Sequence, residues 1–132
     1  MATHATFGSY KIVAFVATAK PGKARSLYRD TLGLRLVSED EFALVFDAHG
    51  TMLRVTIVKE VRAAEYTVLG WQVPDTVAAA TRLQEAGVGL QRYPGMGQDE
   101  QGIWTSPSGA RIAWFKDPDG NTLSVTQFRG AP

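Results

Sequence analysis

The segment WFKDPDGNTLSV, residues 114–125, predicts a strand, a tight turn and a second strand. Pro118 fixes φ near the value needed at the second turn position, and Gly120 accepts positive φ. The side chains of Asp117 and Asp119 can accept hydrogen bonds from nearby backbone N–H groups. A calcium loop would require glycine at its sixth position and glutamate at its twelfth, and this segment supplies neither. We therefore expect a turn that fixes the register of the following strand.

A similar pattern occurs earlier in the chain. GTMLRVT (50–56) and GNTLSVT (120–126) share Gly, Leu, Val and Thr at an offset of 120 − 50 = 70 residues. Upstream, KIVAFVAT (11–18) and YTVLGWQV (66–73) are both apolar and strand-like, and a helical pattern follows each of them. Since a repeat changes the expected architecture, the order strand, helix and three strands is predicted twice.

The two predicted helices have recognisable ends. The first places apolar residues from Ala24 to Leu32 at the spacing of one buried face and stops at Gly33. The second begins after Asp75, a good N-cap, and stops at Gly87. The remaining strands are predicted at 34–39, 42–48, 51–58, 102–106, 110–116 and 121–128, with a long loop at 91–101.

Composition limits the class of protein. The chain has 132 residues, of which 45% are hydrophobic and 20% charged, with a net charge of +1 and no cysteine. We expect one domain over residues 1–132, with module 1 at about 9–60 and module 2 at about 64–129. No apolar run approaches the roughly 18 residues of a membrane span. The charge favours neither nucleic acid nor membranes, and the start of the chain lacks the order of a secretory signal, so we expect a cytoplasmic protein.

With ARSLYRDTLGL (24–34) after the first strand and WFKDPDGNTLSV near the end, the sequence resembles the vicinal oxygen chelate superfamily. This superfamily includes glyoxalases, bleomycin resistance proteins and extradiol dioxygenases. The resemblance implies an α+β fold in which two tandem βαβββ modules form an open β-cup. It also implies a homodimer, because a second subunit often completes the cup.

Relatives that perform chemistry usually hold one divalent metal with four side chains, on the first and last strands of each module. The corresponding positions here are Val13, Arg54, Val68 and Ser124. Metal sites of this type need histidine nitrogen or carboxylate oxygen, and an arginine repels the ion. The only histidines, His4 and His49, do not match these positions. We therefore expect no metal and no other cofactor, and we identify no catalytic residue.

The residues that alternate with the core should face the cup. They are Val13, Phe15, Tyr66, Val68, Gly70, Met52, Arg54, Thr56, Thr122, Ser124 and Thr126, with Trp114 added by comparison with the family. From this set, the candidate ligand-binding residues are Phe15, Met52, Arg54, Tyr66, Trp114 and Ser124. Apolar walls with a few polar groups are typical of small-molecule sites. The alternative is that the aromatic residues fill the cup as core.

Arg54 distinguishes these interpretations. A cation in an apolar cup is costly without a partner. It can pair with an internal carboxylate, bind a carboxylate or phosphate of a ligand, or extend to water. An anionic ligand is therefore one of three alternatives.

Three functions remain open. The first is a metal-free protein that sequesters a hydrophobic or aromatic small molecule, with antibiotics among the candidates. The second is a superfamily enzyme, a lyase, isomerase or dioxygenase, whose metal ligands are non-standard or absent. The third is a structural or regulatory module whose cup is closed by side chains.

Overall fold

The computed structural model describes residues 6–130. Its strands are β1 (Val13–Thr18), β2 (Arg35–Glu39), β3 (Ala43–Ala48), β4 (Thr51–Ile57), β5 (Thr67–Gln72), β6 (Trp104–Thr105), β7 (Arg111–Lys116) and β8 (Thr122–Gln127). Its helices are α1 (Pro21–Arg25), a π-helical continuation (Ser26–Thr31), α2 (Thr76–Glu85) and a short 3₁₀ turn (Phe7–Ser9). Each half therefore follows the predicted order of strand, helix and three strands.

The strands form two four-stranded sheets with the same topology. The first has the order β1-β4-β3-β2 and the second β5-β8-β7-β6. In each, the strand before the helix pairs in parallel with the last strand, and the other pairs are antiparallel. This arrangement confirms the predicted α+β fold of two βαβββ modules with open sheets. The first sheet with its helix is module 1, and the second is module 2.

The helices bury the faces predicted from their spacing. In the first, Ala24, Leu27 and Tyr28 are buried, and Gly33 has a φ of 76° directly after the helix. In the second, the Asp75 side chain accepts a hydrogen bond from the backbone N–H of Ala78 at 3.2 Å, as an N-cap does. Both helices thus pack one apolar stripe against the sheets. No helix among residues 6–130 is long and apolar enough to cross a membrane.

One hydrophobic core joins the two modules. Its buried members come from both sheets and both helices, and they include Tyr28, Phe46, Leu53, Leu83, Phe115 and Leu123. Trp71 and Phe115 stack with ring centroids 6.4 Å apart, on the helix side of the second sheet. These two aromatic residues therefore pack beneath the helices.

The DPDGN turn connects the modules as well as reversing the chain. The buried Asp117 carboxylate accepts hydrogen bonds from the Tyr28 hydroxyl at 2.8 Å and from the Asn121 side-chain amide at 2.8 Å. The Asp119 carboxylate accepts from the Thr18 hydroxyl and from the backbone N–H of Ala19. The turn of module 2 is therefore bonded to the helix and first strand of module 1, which the sequence pattern alone did not indicate.

Candidate functional site

The face of each sheet that lies away from the helices carries exposed apolar side chains. Relative exposure is 41% for Val13, 61% for Phe15, 43% for Met52, 73% for Tyr66 and 39% for Val68. Their neighbours along β1, Val16 and Thr18, are buried. We call these surfaces the module 1 cup face (Val13, Phe15, Met52 and Arg54) and the module 2 cup face (Tyr66, Trp114, Thr122 and Ser124).

The two cup faces line different cavities. Val13 and Met52 line a cavity of about 260 Å³ on module 1, together with Val37 and Val45. The module 2 cavity has a volume of about 280 Å³, and its lining residues are Glu65, Tyr66, Thr67, Tyr93, Met96, Trp114 and Thr122. Of the six candidate ligand-binding residues, Met52 lines the module 1 cavity, and Tyr66 and Trp114 line the module 2 cavity. Phe15, Arg54 and Ser124 line neither of these two cavities.

Arg54 lies at the centre of the module 1 cup face. In the sheet register it stands between Phe15 on β1 and Val45 on β3, and it is half-buried. Within residues 6–130, no carboxylate oxygen lies within 4.0 Å of its guanidinium. Asp40 has a lowered pKa, first because the backbone N–H groups of Phe42 and Ala43 donate to it and only lastly because of the Arg54 charge. Among the described residues, the guanidinium has no direct internal partner.

The residues at the four metal positions do not fit a divalent cation. Val13 and Val68 have no donor atom, Arg54 carries a positive charge, and Ser124 offers only a neutral hydroxyl. No group of three or more His, Cys, Asp or Glu side chains among residues 6–130 is placed to hold a metal. His49 is exposed at the tip of the β3–β4 turn, and His4 lies outside the described residues.

A β-bulge on β5 changes which residues face the module 2 cavity. Thr67 pairs with Thr122 and Leu69 pairs with Leu123, so Val68 is the extra residue between them. The hydroxyl oxygen of Thr67 accepts a hydrogen bond from the indole N–H of Trp114 at 3.1 Å. Strict alternation along β5 predicts that Tyr66 and Val68 face the cavity and that Thr67 does not. Thr67 nevertheless lines the cavity and holds the Trp114 ring by this hydrogen bond.

Trp114 is the centre of an aromatic cluster that includes two residues not predicted for the site. The Tyr93 ring lies 5.6 Å from it at 85°, and the Trp104 ring lies 6.1 Å from it at 36°, measured between centroids and ring planes. Burial raises the pKa of the Tyr93 hydroxyl above its ordinary value. In the sequence, only their aromatic character indicates a role for these two residues. Tyr93 lies in the predicted loop at 91–101 and Trp104 in the predicted strand at 102–106.

Gln98 fixes the loop that carries Tyr93. Its side-chain oxygen accepts from the backbone N–H of Tyr93 at 2.6 Å, and its amide donates to the carbonyls of Gln91 at 2.9 Å and Gly102 at 2.7 Å. The Asp99 carboxylate accepts from the backbone N–H groups of residues 101–103. These bonds hold Tyr93 against Trp114 without a bound ligand.

Ser124 lies beside the aromatic cluster on β8. It pairs with Trp114 on one side and with Gly70 on the other, and it is 7% exposed. A Cβ atom at Gly70 would lie 2.6 Å from the Ser124 hydroxyl oxygen. The Ser124 hydroxyl therefore occupies space that is free because residue 70 is a glycine.

Comparisons with known proteins agree with the architecture. Residues 11–125 match the family model described as the Glyoxalase/Bleomycin resistance protein/Dioxygenase superfamily. No curated protein matches the chain in sequence.

Solved structures with the same fold share little sequence identity with the chain. A lactoylglutathione lyase from Agrobacterium tumefaciens is 18% identical, with 90% of this chain and 93% of that chain covered and a TM-score of 0.71. A superfamily member from Sphaerobacter thermophilus is 21% identical, with coverages of 90% and 97% and a TM-score of 0.68. A bleomycin resistance determinant encoded on transposon Tn5 is 15% identical, with coverages of 92% and 100% and a TM-score of 0.70. At these identities the likeness is one of fold.

Proposed function

Because the chain belongs to the Glyoxalase/Bleomycin resistance protein/Dioxygenase superfamily, we propose that it is a metal-free member that binds a hydrophobic or aromatic small molecule. One observation carries this proposal: the four positions where the superfamily places its metal hold two valines, an arginine and a serine, while the surrounding cup faces are apolar and aromatic. Such surfaces provide affinity through burial of apolar area, and a few polar groups orient the ligand.

The candidate ligand-binding residues support binding in different ways. Phe15 and Met52 offer exposed apolar area on module 1, and Tyr66 does the same on module 2, where the half-buried Trp114 also lines the cavity. Ser124 supplies a hydroxyl beside Trp114. Arg54, with no carboxylate within 4.0 Å among residues 6–130, is available for a carboxylate or phosphate group of the ligand.

A second copy of the chain would complete the cup. Side chains such as Phe15 and Tyr66, which are 61% and 73% exposed, form apolar surfaces of the kind that subunits cover. A two-fold axis can place the module 1 cup face of one copy opposite the module 2 cup face of the other, which gives two equivalent cups. We therefore include homodimerisation in the proposal, and light scattering after gel filtration measures it directly.

Two measurements test the proposal. Thermal unfolding with a library of aromatic compounds should show increases in Tm, since a ligand that binds only the folded state stabilises it. A library without a single stabilising compound would contradict ligand binding and favour a cup closed by side chains. Metal analysis of protein purified without an affinity tag should find no stoichiometric Zn, Ni, Mn or Fe. A stoichiometric ion would favour the alternative of a superfamily enzyme.

The Arg54→Ala variant tests the anionic group of the ligand. Loss of a charged hydrogen bond costs about 1.5–3 kcal/mol, so affinity for benzoate should fall by roughly ten- to a hundredfold while affinity for benzyl alcohol changes little. Calorimetric titration measures both. Arg62→Ala, at an exposed position outside both cup faces, is the matched control. Equal losses for benzoate and benzyl alcohol would remove Arg54 from ligand recognition.

A further inference from the structure

The module 2 cavity has a lining that differs in chemistry from the rest of the cup faces. It contains the rings of Tyr66, Tyr93 and Trp114, the thioether of Met96 and the carboxylate of Glu65. Glu65 is the only charged residue in this lining. We infer that this half of the cup binds an organic cation, a quaternary or protonated ammonium group carried on an apolar body. This inference rests on the proposed ligand-binding function and names the class of ligand.

The arrangement of the rings suits a cation. Tyr93 and Trp114 make an edge-to-face contact, almost at right angles with centroids 5.6 Å apart, and both residues line the cavity. Aromatic rings attract a cation placed within about 6 Å of their centroids, and tryptophan does so most strongly. The hydrogen bonds of Gln98 to Tyr93 and of Trp114 to Thr67 hold the two rings in place before any ligand binds.

The same hydrogen bonds occupy two N–H donors that an anion in this cavity could otherwise use. The indole N–H of Trp114 is the ring's one donor, and it is already directed to the Thr67 hydroxyl oxygen at 3.1 Å. The backbone N–H of Tyr93 is likewise used by Gln98. What Trp114 still offers to a ligand is its ring, whose negative π surface attracts positive charge.

The charges near the cavity assign separate roles to the two modules. Glu65 is exposed and, within residues 6–130, has no cationic side chain within 4.0 Å. Lys116 on β7 pairs with Thr122, a residue of the cavity lining, in the sheet register, and it is exposed. Arg54 belongs to module 1. A ligand held between the two faces would therefore place a positive group on module 2 and a negative group on module 1.

A pair of probes with the same shape tests the inference. Choline and 3,3-dimethylbutan-1-ol differ in the charge of one central atom, so a difference in affinity reports the cation itself. We expect choline to bind about tenfold more tightly, because a partly desolvated cation over aromatic rings gains an attraction that the neutral compound lacks. NMR titration of the Trp114 indole N–H signal measures both dissociation constants. Trp71→Phe and Trp104→Phe variants assign the three indole signals.

Charge variants at and near the module 2 cavity test whether the preference for choline arises at this site. Glu65→Gln should lower the preference for choline several-fold, whereas Glu60→Gln, outside the cavity, should leave it unchanged. Lys116→Met should raise the preference for choline, because it removes a positive charge beside Thr122 of the cavity lining. Equal affinity for the two probes, or equal effects of Glu65→Gln and Glu60→Gln, would overturn the cation inference. Binding of benzyl alcohol in the same experiments would show that the proposed ligand-binding function nevertheless holds.

Discussion

The two β-hairpins that end the modules begin from related sequences but have different structures. In module 1, His49 and Gly50 form a two-residue turn in which both φ angles are positive, 51° and 88°. This is the geometry that a tight hairpin turn requires. In module 2, residues 117–121 separate the paired Lys116 and Thr122 and form a wider turn. The two copies of the hairpin therefore have turns of different length.

The longer turn, in module 2, also forms hydrogen bonds with module 1. Asp117 accepts from the Tyr28 hydroxyl, and the Asn121 side chain donates to the Ala17 carbonyl at 2.9 Å, so the turn contacts module 1 at two separate elements. At the equivalent position of module 1, Asp47 lies on β3, and its ion pair with the exposed Arg35 has a length of 3.9 Å. One copy of the repeated hairpin thus joins the two central strands of its sheet, whereas the other also fixes the position of the modules relative to each other.

The largest expected effect comes from removing the carboxylate at the centre of the module 2 turn. Asp117→Ala leaves the buried Tyr28 hydroxyl and the Asn121 amide and backbone donors without their acceptor. We expect the free energy of unfolding to fall by about 3–5 kcal/mol, since each unsatisfied buried donor costs roughly 1–3 kcal/mol. Urea unfolding measures it.

The matched variant in module 1 is Asp47→Ala. Because the Asp47–Arg35 contact is long and exposed, its loss should change stability by less than about 0.5 kcal/mol. Similar losses for Asp117→Ala and Asp47→Ala would show that the wide turn contributes no more to stability than the tight one.

A smaller effect should appear as a dependence of stability on pH. Burial, together with the Asp117 carboxylate, raises the pKa of Tyr28 above its ordinary value of 10.0. The folded protein therefore retains this proton when the unfolded chain has lost it. The contribution is fully present below pH 10 and declines above it, at about 1.4 kcal/mol per pH unit. Tyr28→Phe should remove this part of the alkaline slope of the unfolding free energy.

The control for this slope is Tyr66→Phe. Tyr66 is 73% exposed on the module 2 cup face, so this variant removes a tyrosine hydroxyl without touching the buried Tyr28–Asp117 bond. A Tyr28→Phe variant with the same alkaline slope as the wild-type protein would contradict the role assigned to the Tyr28–Asp117 bond.

Local patterns predicted most of the fold and part of the candidate site. Alternation predicts the sheet face of Phe15, Arg54 and Ser124 simply, because β1, β4 and β8 pair without interruption at these residues. On β5 it selects Tyr66, which lines the cavity, but it misses Thr67, because the bulge at Val68 shifts the register. A bulge of this kind leaves no clear mark in a single sequence.

Local sequence patterns did not predict contacts between residues that are distant in the sequence. Thr18 and Asp119 are 101 residues apart in sequence, and Tyr93 reaches Trp114 from a loop whose path depends on Gln98. Hydrophobic periodicity describes one element at a time, so it gives the face of a strand but not which loop packs on that face.

The smallest expected effect concerns equivalent positions on the two cup faces. Phe15 and Gly70 correspond in the repeat, at an offset of 70 − 15 = 55, and they pair with Arg54 and Ser124, which are also equivalent. Gly70→Ala would bring a Cβ atom 2.6 Å from the Ser124 hydroxyl oxygen, so that hydroxyl must rotate away. We expect a loss of about 1 kcal/mol in urea unfolding.

A double variant separates this contact from other effects of the substitution. If the Ser124 hydroxyl is the obstacle, Gly70→Ala combined with Ser124→Ala should be more stable than the sum of the two single changes predicts. Phe15→Ala, at a side chain that is 61% exposed, should change the stability of the monomer by no more than about 0.5 kcal/mol. Additive effects in the double variant would mean that position 70 requires glycine for a reason other than Ser124. In that case the difference between the two cup faces would not arise from side-chain packing at this pair.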